Sequence, residues 1–146
     1  MSYVAKIKKL KENAIVPKVG SDYAAGYDLC ACIDNSVRIG PHSTLMIGTG
    51  LSITPPENYF GAIFARSGLA TKKGLRPANC VGVCDYDYTG EYIVALHNDS
   101  DYAVIIQPNE RIAQLVFLPY IQVDFEEVDE LEKTDRGAGG FGSTGN

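Results

Sequence analysis

Residues 80–118 read CVGVCDYDYTGEYIVALHNDSDYAVIIQPNERIAQLVFL. Runs rich in Val, Ile, Leu, Tyr and Phe stand at 80–84, 91–97, 102–107 and 112–118, divided by Asp, Gly, Asn and Pro. Runs this short and closely spaced predict strands joined by turns, because none keeps the helical period for long enough to bury one face. Outward from this stretch the rhythm continues, with runs at 27–33, 44–48, 51–54 and 59–64 on one side and 122–128 on the other. Pro17, Pro41, Pro55, Pro56, Pro77, Pro108 and Pro119 fall mostly at the joints, where a missing N–H does the ladder no harm. The one helical candidate is 68–72, with Ser67 as its N-cap and Gly74 as its stop. So many strands with so little helix must bury one face of each sheet and shelter their edges, which predicts an all-β, jelly-roll-like β-barrel.

The chain has 146 residues and a net charge of −5, which fits one domain with a real core. No repeat or linker interrupts 1–132. Near Lys133 the acidic segment 124–132 gives way to the glycine-rich 133–146, expected to be a flexible C-terminal arm. The pI is about 4.9. With the 13 Lys and Arg spread along the chain apart from a short cluster at 6–11, the dense basic face that duplex nucleic acid or a membrane surface requires is missing. No signal-peptide core is visible, nor any apolar run near the ~18 residues of a membrane span. An intracellular, soluble protein is expected, with no nucleic-acid or membrane partner. Cys30 and Cys32, and Cys80 and Cys84, form C-x-C and C-x3-C pairs, neither of them the common zinc spacing. Strand residues two or four apart simply share a face, so the four are read as reduced thiols.

The tail RGAGGFGSTG (136–145) has too many glycines to fold alone, yet it sets a cation, a ring and two hydroxyls in order. Arg136 can pair with phosphate and Phe141 can stack on a base. Ser143 and Thr144, with the N–H groups of Gly142 and its neighbours, can line a polyphosphate. AAGYDL (24–29) presents Asp28 at a strand start, a candidate Mg²⁺ ligand acting directly or through water. ARSGLA (65–70) sets Ser67, and the N–H groups that follow from Gly68 onward, at the positive end of a helical turn with Arg66 as a fixed charge. In 79–91 two strands flank a polar turn. A hairpin there offers the Asn79 amide and the backbone of Gly82 and Val83 to a pyrimidine edge, Tyr88 to the face of a sugar, and Asp85 as a general base holding water. In ERIAQLVF (110–117), Arg111 and Gln114 either touch phosphates or hold neighbouring loops. No G-x4-G-K-[ST] follows a strand, which argues against a Walker-type ATPase. Taken singly, each motif also has a plainer reading as a turn Asp, a Ser cap, an ordinary turn or a Gly/Ser tail.

Taken together and in order, from about residue 24 to 145, these motifs resemble those of the trimeric dUTPase family, the deoxyuridine triphosphate nucleotidohydrolases. The resemblance implies a homotrimer of jelly-roll subunits with active sites at subunit interfaces. It implies Mg²⁺-dependent hydrolysis of dUTP to dUMP and pyrophosphate (dUTP diphosphatase), which keeps dUTP low and supplies dUMP for dTMP synthesis. Asp85 then matches the base that orients water for in-line attack on the α-phosphorus. Asn79, Gly82 and Val83 match the uracil reader, Tyr88 the deoxyribose platform, and Asp28 the residue that holds Mg²⁺ through water. Arg66, Ser67, Gly68 and Gln114 match the phosphate side. Arg136, Phe141, Gly142, Ser143 and Thr144 match the closing arm, with Phe141 over the base and the others near the γ-phosphate. The chain departs from the pattern at Ala65, where Pro is usual, at Cys84 (an aliphatic residue), Thr89 (Arg) and Asn109-Glu110 (Gly-Asp). A thiol at Cys84, beside the base, raises the expectation of oxidation sensitivity. The alternatives are a dCTP deaminase and a non-catalytic nucleotide-sensing or interaction module on the same fold; the complete arm and the intact Asp28, Asp85 and Arg136 favour hydrolysis.

Overall fold

The computed structural model describes residues 3–140. The strands are β1 (Lys6–Lys9), β2 (Tyr27–Cys30), β3 (Val37–Ile39), β4 (Thr44–Gly48), β5 (Leu51–Thr54), β6 (Tyr59–Phe64), β7 (Leu75–Pro77), β8 (Gly82–Cys84), β9 (Ile93–Asn98), β10 (Val104–Ile106) and β11 (Arg111–Pro119). One short helix, α1 (Ser67–Lys73), joins β6 to β7. All pairing is antiparallel. β2-β11-β6-β8 form one sheet, β4-β9-β7 a second, and β1-β5 and β10-β3 two ribbons. Alternation puts Leu51 and Ile53 of β5 and Val94 and Leu96 of β9 inside. With Leu29, Ile39, Ile47, Leu75, Tyr92, Ile106, Ile112 and Leu115 they make one core, each buried Leu or Ile contributing about 1.5–3 kcal/mol. The fold is thus the expected all-β, jelly-roll-like barrel. Asn98 is buried with them, and its amide nitrogen is shared among the carbonyls of Ile39, Gly40 and Tyr102 at 3.3, 3.0 and 2.6 Å. That node ties the end of β9 to β3, and the loop after it, without leaving a polar group stranded.

One irregularity places functional side chains. The register of β11 against β2 slips between Arg111 and Ala113, so Ile112 and Ala113 are both buried. Residues three apart on a regular strand face opposite ways. The bulge puts Arg111 and Gln114 on the same outer face, with Gln114 opposite Asp28.

Three expectations are corrected. The run 122–128 forms no strand: Val123 is 59% and Phe125 96% exposed, and no ladder partner for the run exists among the described residues. The segment 79–91 is not a ladder hairpin, since β8 pairs with β6 while β9 pairs with β4 and β7, and the polar turn crosses from one sheet to the other. Ser67 does not cap α1. The helix begins at Ser67, and Arg66 holds the N-cap position with extended backbone and no side-chain cap bond. Gly74 does stop it, in a left-handed conformation (φ 65°, ψ 22°) with its N–H on the Leu69 carbonyl. β1, β3 and β7, of three or four residues each, lie outside the predicted runs. No helix among the described residues is long and apolar enough to cross a membrane.

Candidate active site

On the four-stranded sheet, Asp28, Gln114 and Phe64 lie in one cross-strand row over β2, β11 and β6. Two residues beyond Phe64, Arg66 turns its Nε onto Asp28 Oδ1 at 2.9 Å, and Arg111 Nη1 reaches Asp28 Oδ2 at 3.0 Å. One carboxylate thus holds two guanidinium groups side by side, which leaves a net positive charge and unused N–H donors for an anion. Asp28 is no free turn residue. Gln114 donates from Nε2 to the Ala65 carbonyl at 2.8 Å, and its Oε1 sits where a side chain at position 26 would go, so a larger residue there would displace the amide. The Nε2 bond holds the loop at Ala65, one of the two roles expected of Gln114. A cavity of about 690 Å³ opens here, lined by Ala24, Asp28, Arg66, Gly68, Cys80 and Arg111 with Gly26, Ser67 and Gln114 beside them.

The segment from Asn79 to Glu91 is built differently. Cys80 takes a left-handed backbone (φ 61°), and Val81 N–H bonds to the Asn79 carbonyl at 2.6 Å, a tight turn into β8. Gly82 is buried against Ile63, with the Asn79 amide nitrogen beside it, while Val83 points outward. Asp85 follows, exposed, and Tyr88 N–H bonds to the Asp85 carbonyl at 3.2 Å. The Tyr88 ring is 43% exposed and lies over Gly90, where any side chain would collide with it. Its hydroxyl donates to the Glu91 carbonyl at 2.9 Å. Under this turn lie Cys84 and Tyr92, both buried. Burial, with the Asp85 carboxylate adding to it, pushes the Cys84 thiol up to about 11. A thiol so protonated and covered is a poor nucleophile, which removes the physical basis for oxidation sensitivity at Cys84.

The two clusters sit at opposite ends of the β6–β8 pair. Gly61 faces Cys84 and Ile63 faces Gly82, so Asp85 lies near Phe60 and Arg66 near the start of β8, about 15–20 Å apart at strand spacing. Cys80 lies within the 79–91 motif without a predicted role there; it lines the cavity because the turn before β8 folds over the end of β6. Arg136 bonds locally, from Nε to the Gly139 carbonyl at 2.9 Å. Phe141, Gly142, Ser143 and Thr144 lie outside the described residues. Among the described residues no three His, Cys, Asp or Glu gather as a metal cage, and Asp28, already bonded to two arginines, is the carboxylate at the cavity. That fits Mg²⁺ which keeps its waters and is carried in by phosphate oxygens, rather than an ion caged by protein.

The dUTPase family model matches residues 12–145. The deoxyuridine 5'-triphosphate nucleotidohydrolase of Hydrogenobaculum sp. is 47% identical over 139 residues, covering 95% of this chain and 96% of its own. That of Desulfitobacterium hafniense is 46% identical over 146 residues, covering 99% and 94%. Among solved structures, the Staphylococcus bacteriophage 80alpha dUTPase with dUPNHPP superposes with a TM-score of 0.89 at 28% identity, over 99% of this chain and 100% of that one. A phage phi11 dUTPase described with a structural Mg(II) ion shares the fold at a TM-score of 0.79 and 23% identity, over 89% of this chain and 99% of that one. On its sequence, and on a site assembled at the places where the motifs lie, the chain belongs to the dUTPase family.

Proposed function

We propose that the protein hydrolyses dUTP to dUMP and pyrophosphate by attack of water on the α-phosphorus. The observation that carries this reading is the Asp28–Arg66–Arg111 cluster at the mouth of the cavity, in a fold shared over nearly the whole chain with a dUTPase described with dUPNHPP. Arg66, with the N–H groups around Ser67 and Gly68, receives phosphate oxygens, and Gln114 keeps that loop in place. Asn79 and the backbone at Gly82 and Val83 read the uracil edge, and the Tyr88 ring against the sugar excludes a 2′-hydroxyl. Asp85 orients the water and takes its proton. Bound magnesium, held by Asp28 through water and by the phosphates, would offset the triphosphate charge. The arm 133–146 closes the site, with Arg136, Ser143, Thr144 and Gly142 toward the terminal phosphates and Phe141 over the base.

The working unit is a homotrimer with sites shared between chains. The distance between Asp85 and the Asp28 cluster within one chain supports this, because one triphosphate cannot be served by both ends of β8 at once. So do the exposed Ile121, Val123 and Phe125, and an open apolar groove of about 530 Å³ lined by Tyr3, Ile7, Tyr59 and Phe117. Sedimentation at about three times 15.8 kDa is expected. Pyrophosphate release from dUTP, dCTP, dTTP and UTP, with and without Mg²⁺, tests the reading. Only dUTP should be cleaved well. Comparable kcat/KM for UTP removes the Tyr88 argument, and ammonia from dCTP moves the chain to deamination.

A further inference from the structure

Among the described residues no ladder holds the turn that carries Asp85 and Tyr88, since β8 leaves one sheet before it and β9 enters another after it. Its first end is fixed by β8. Its far end is fixed by Glu91, whose Oε1 accepts the Gly50 N–H at 2.7 Å and whose carbonyl accepts the Tyr88 hydroxyl at 2.9 Å. Gly50 is left-handed (φ 69°), and a side chain there would collide with Ala14 and Cys32, so the position calls for glycine. At Gly48 the Glu91 carboxylate occupies the place of a side chain, so any larger residue there must push the carboxylate aside. A weaker second tie, Ser52 Oγ to the Thr89 carbonyl at 2.8 Å, comes from the adjacent β5. The next residue is held independently of the Glu91 side chain, by Thr49 N and Oγ1 to the Tyr92 carbonyl (3.1 and 2.7 Å) and Tyr92 N to the Leu51 carbonyl (2.7 Å). Loss of the carboxylate therefore leaves the sheet joined and removes the charged tie at the far end of the turn, with Ser52 left as its remaining side-chain anchor from β5.

We propose that Glu91 is the positioning residue of this site: its carboxylate, clamped on the turn between β4 and β5, sets where Asp85 and Tyr88 stand. The proposal rests on the dUTP reading above. Glu91 touches no substrate and acts through the two residues that do.

The test compares Glu91→Ala, Glu91→Gln and Gly48→Ala in the full-length protein. Because a displacement of about 1 Å can cost on the order of a hundredfold in rate, Glu91→Ala should lower kcat for dUTP by about tenfold to a hundredfold and reduce the preference for dUTP over UTP. Glu91→Gln keeps an oxygen for Gly50 and should stay within about threefold of the parent, the scale of a weakened neutral hydrogen bond. Gly48→Ala pushes the carboxylate off its seat from the other side and should behave like Glu91→Ala. A folded Glu91→Ala with normal kcat and normal discrimination, or with only a lowered Tm, overturns the proposal, and so does a Gln variant as damaged as Ala. If Glu91→Ala does not fold, Gly48→Ala against Glu91→Gln decides on the same criteria. Should the parent protein not cleave dUTP at all, the dUTP reading fails separately. The anchor is then read from amide exchange at 86–89, faster in Glu91→Ala and unchanged in Glu91→Gln if the clamp is real, and equal in both if it is not.

Discussion

The two halves of the site are held by different physics. Around Asp28 the sheet register does the positioning, with Gln114 and Phe64 in the same row and each oxygen of one carboxylate on a separate arginine. Around Asp85 no ladder exists among the described residues; the turn crosses between sheets and hangs on hydrogen bonds from Gly50 and Ser52. In the proposed reading the first region binds fixed charge and profits from rigidity, and the second fits a base, a sugar and a water together. The second region's residues Asp85 and Tyr88 stand exposed in the single chain.

The largest expected effect tests the chemistry of the exposed half. Asp85→Asn keeps the shape of the side chain and removes its basicity, so kcat for dUTP should fall by about a hundredfold or more, with folding and nucleotide binding kept. Near-normal turnover would reduce Asp85 to a turn residue. Removal of 137–146 should also lower turnover sharply while leaving dUMP binding almost unchanged, because dUMP offers no terminal phosphate for the arm to grip; full activity would make the tail an appendage.

Mixing sharpens the separation of the halves. Arg66→Ala chains keep Asp85, and Asp85→Asn chains keep Arg66. If each site takes the two residues from different subunits, an equal mixture refolded together has both intact in about one quarter of its sites. Activity should return to about that fraction of the parent. A mixture no better than the two inactive variants would mean that one chain supplies both.

A smaller effect is expected from the rigid half. Asp28→Asn leaves Arg66 and Arg111 facing each other without the shared anion, and their partial exposure limits the cost to about 1–2 kcal/mol. Urea unfolding should show it as a lower midpoint with unchanged slope. No loss of stability would make the cluster a surface coincidence rather than part of the sheet's support.

The same contrast explains what could be read from the sequence. Runs 44–48, 51–54 and 59–64 coincide with β4, β5 and β6, because a buried strand in a barrel writes its own pattern of apolar and β-branched residues. Residues 122–128 carry that pattern too and form no strand, since pattern announces the ability to pair and not the presence of a partner. The motif residues that line the cavity, Asp28, Arg66, Ser67, Gly68 and Gln114, were legible as candidates. The pairing of Asp28 with Arg66 and Arg111 was not, for those contacts span 38 and 83 residues and depend on a bulge at Ile112 that no local signal marks. Nor was the crossing of 79–91 between sheets, because two strands around a polar turn look the same whether or not they pair.

The smallest effect concerns Cys84, at the seam between the core and the exposed half. Its thiol titrates near 11 in the fold against an ordinary value of 9.0. Below pH 9 both folded and unfolded chains keep the proton, and the group leaves stability unchanged. Between about 9 and 11 the unfolded chain loses the proton first, so stability falls with rising pH, and the loss levels off once the folded thiol ionises as well. Cys84→Val removes this contribution and should flatten the alkaline limb of a stability profile slightly while leaving kcat for dUTP at neutral pH within about twofold, the usual reach of a near-isosteric core change. A thiol reagent at neutral pH should label the exposed Cys80 of the native protein and spare Cys84. Labelling of native Cys84 would mean that the turn above it opens often, and that the exposed half of the site is looser than its hydrogen bonds to Gly50 and Ser52 imply.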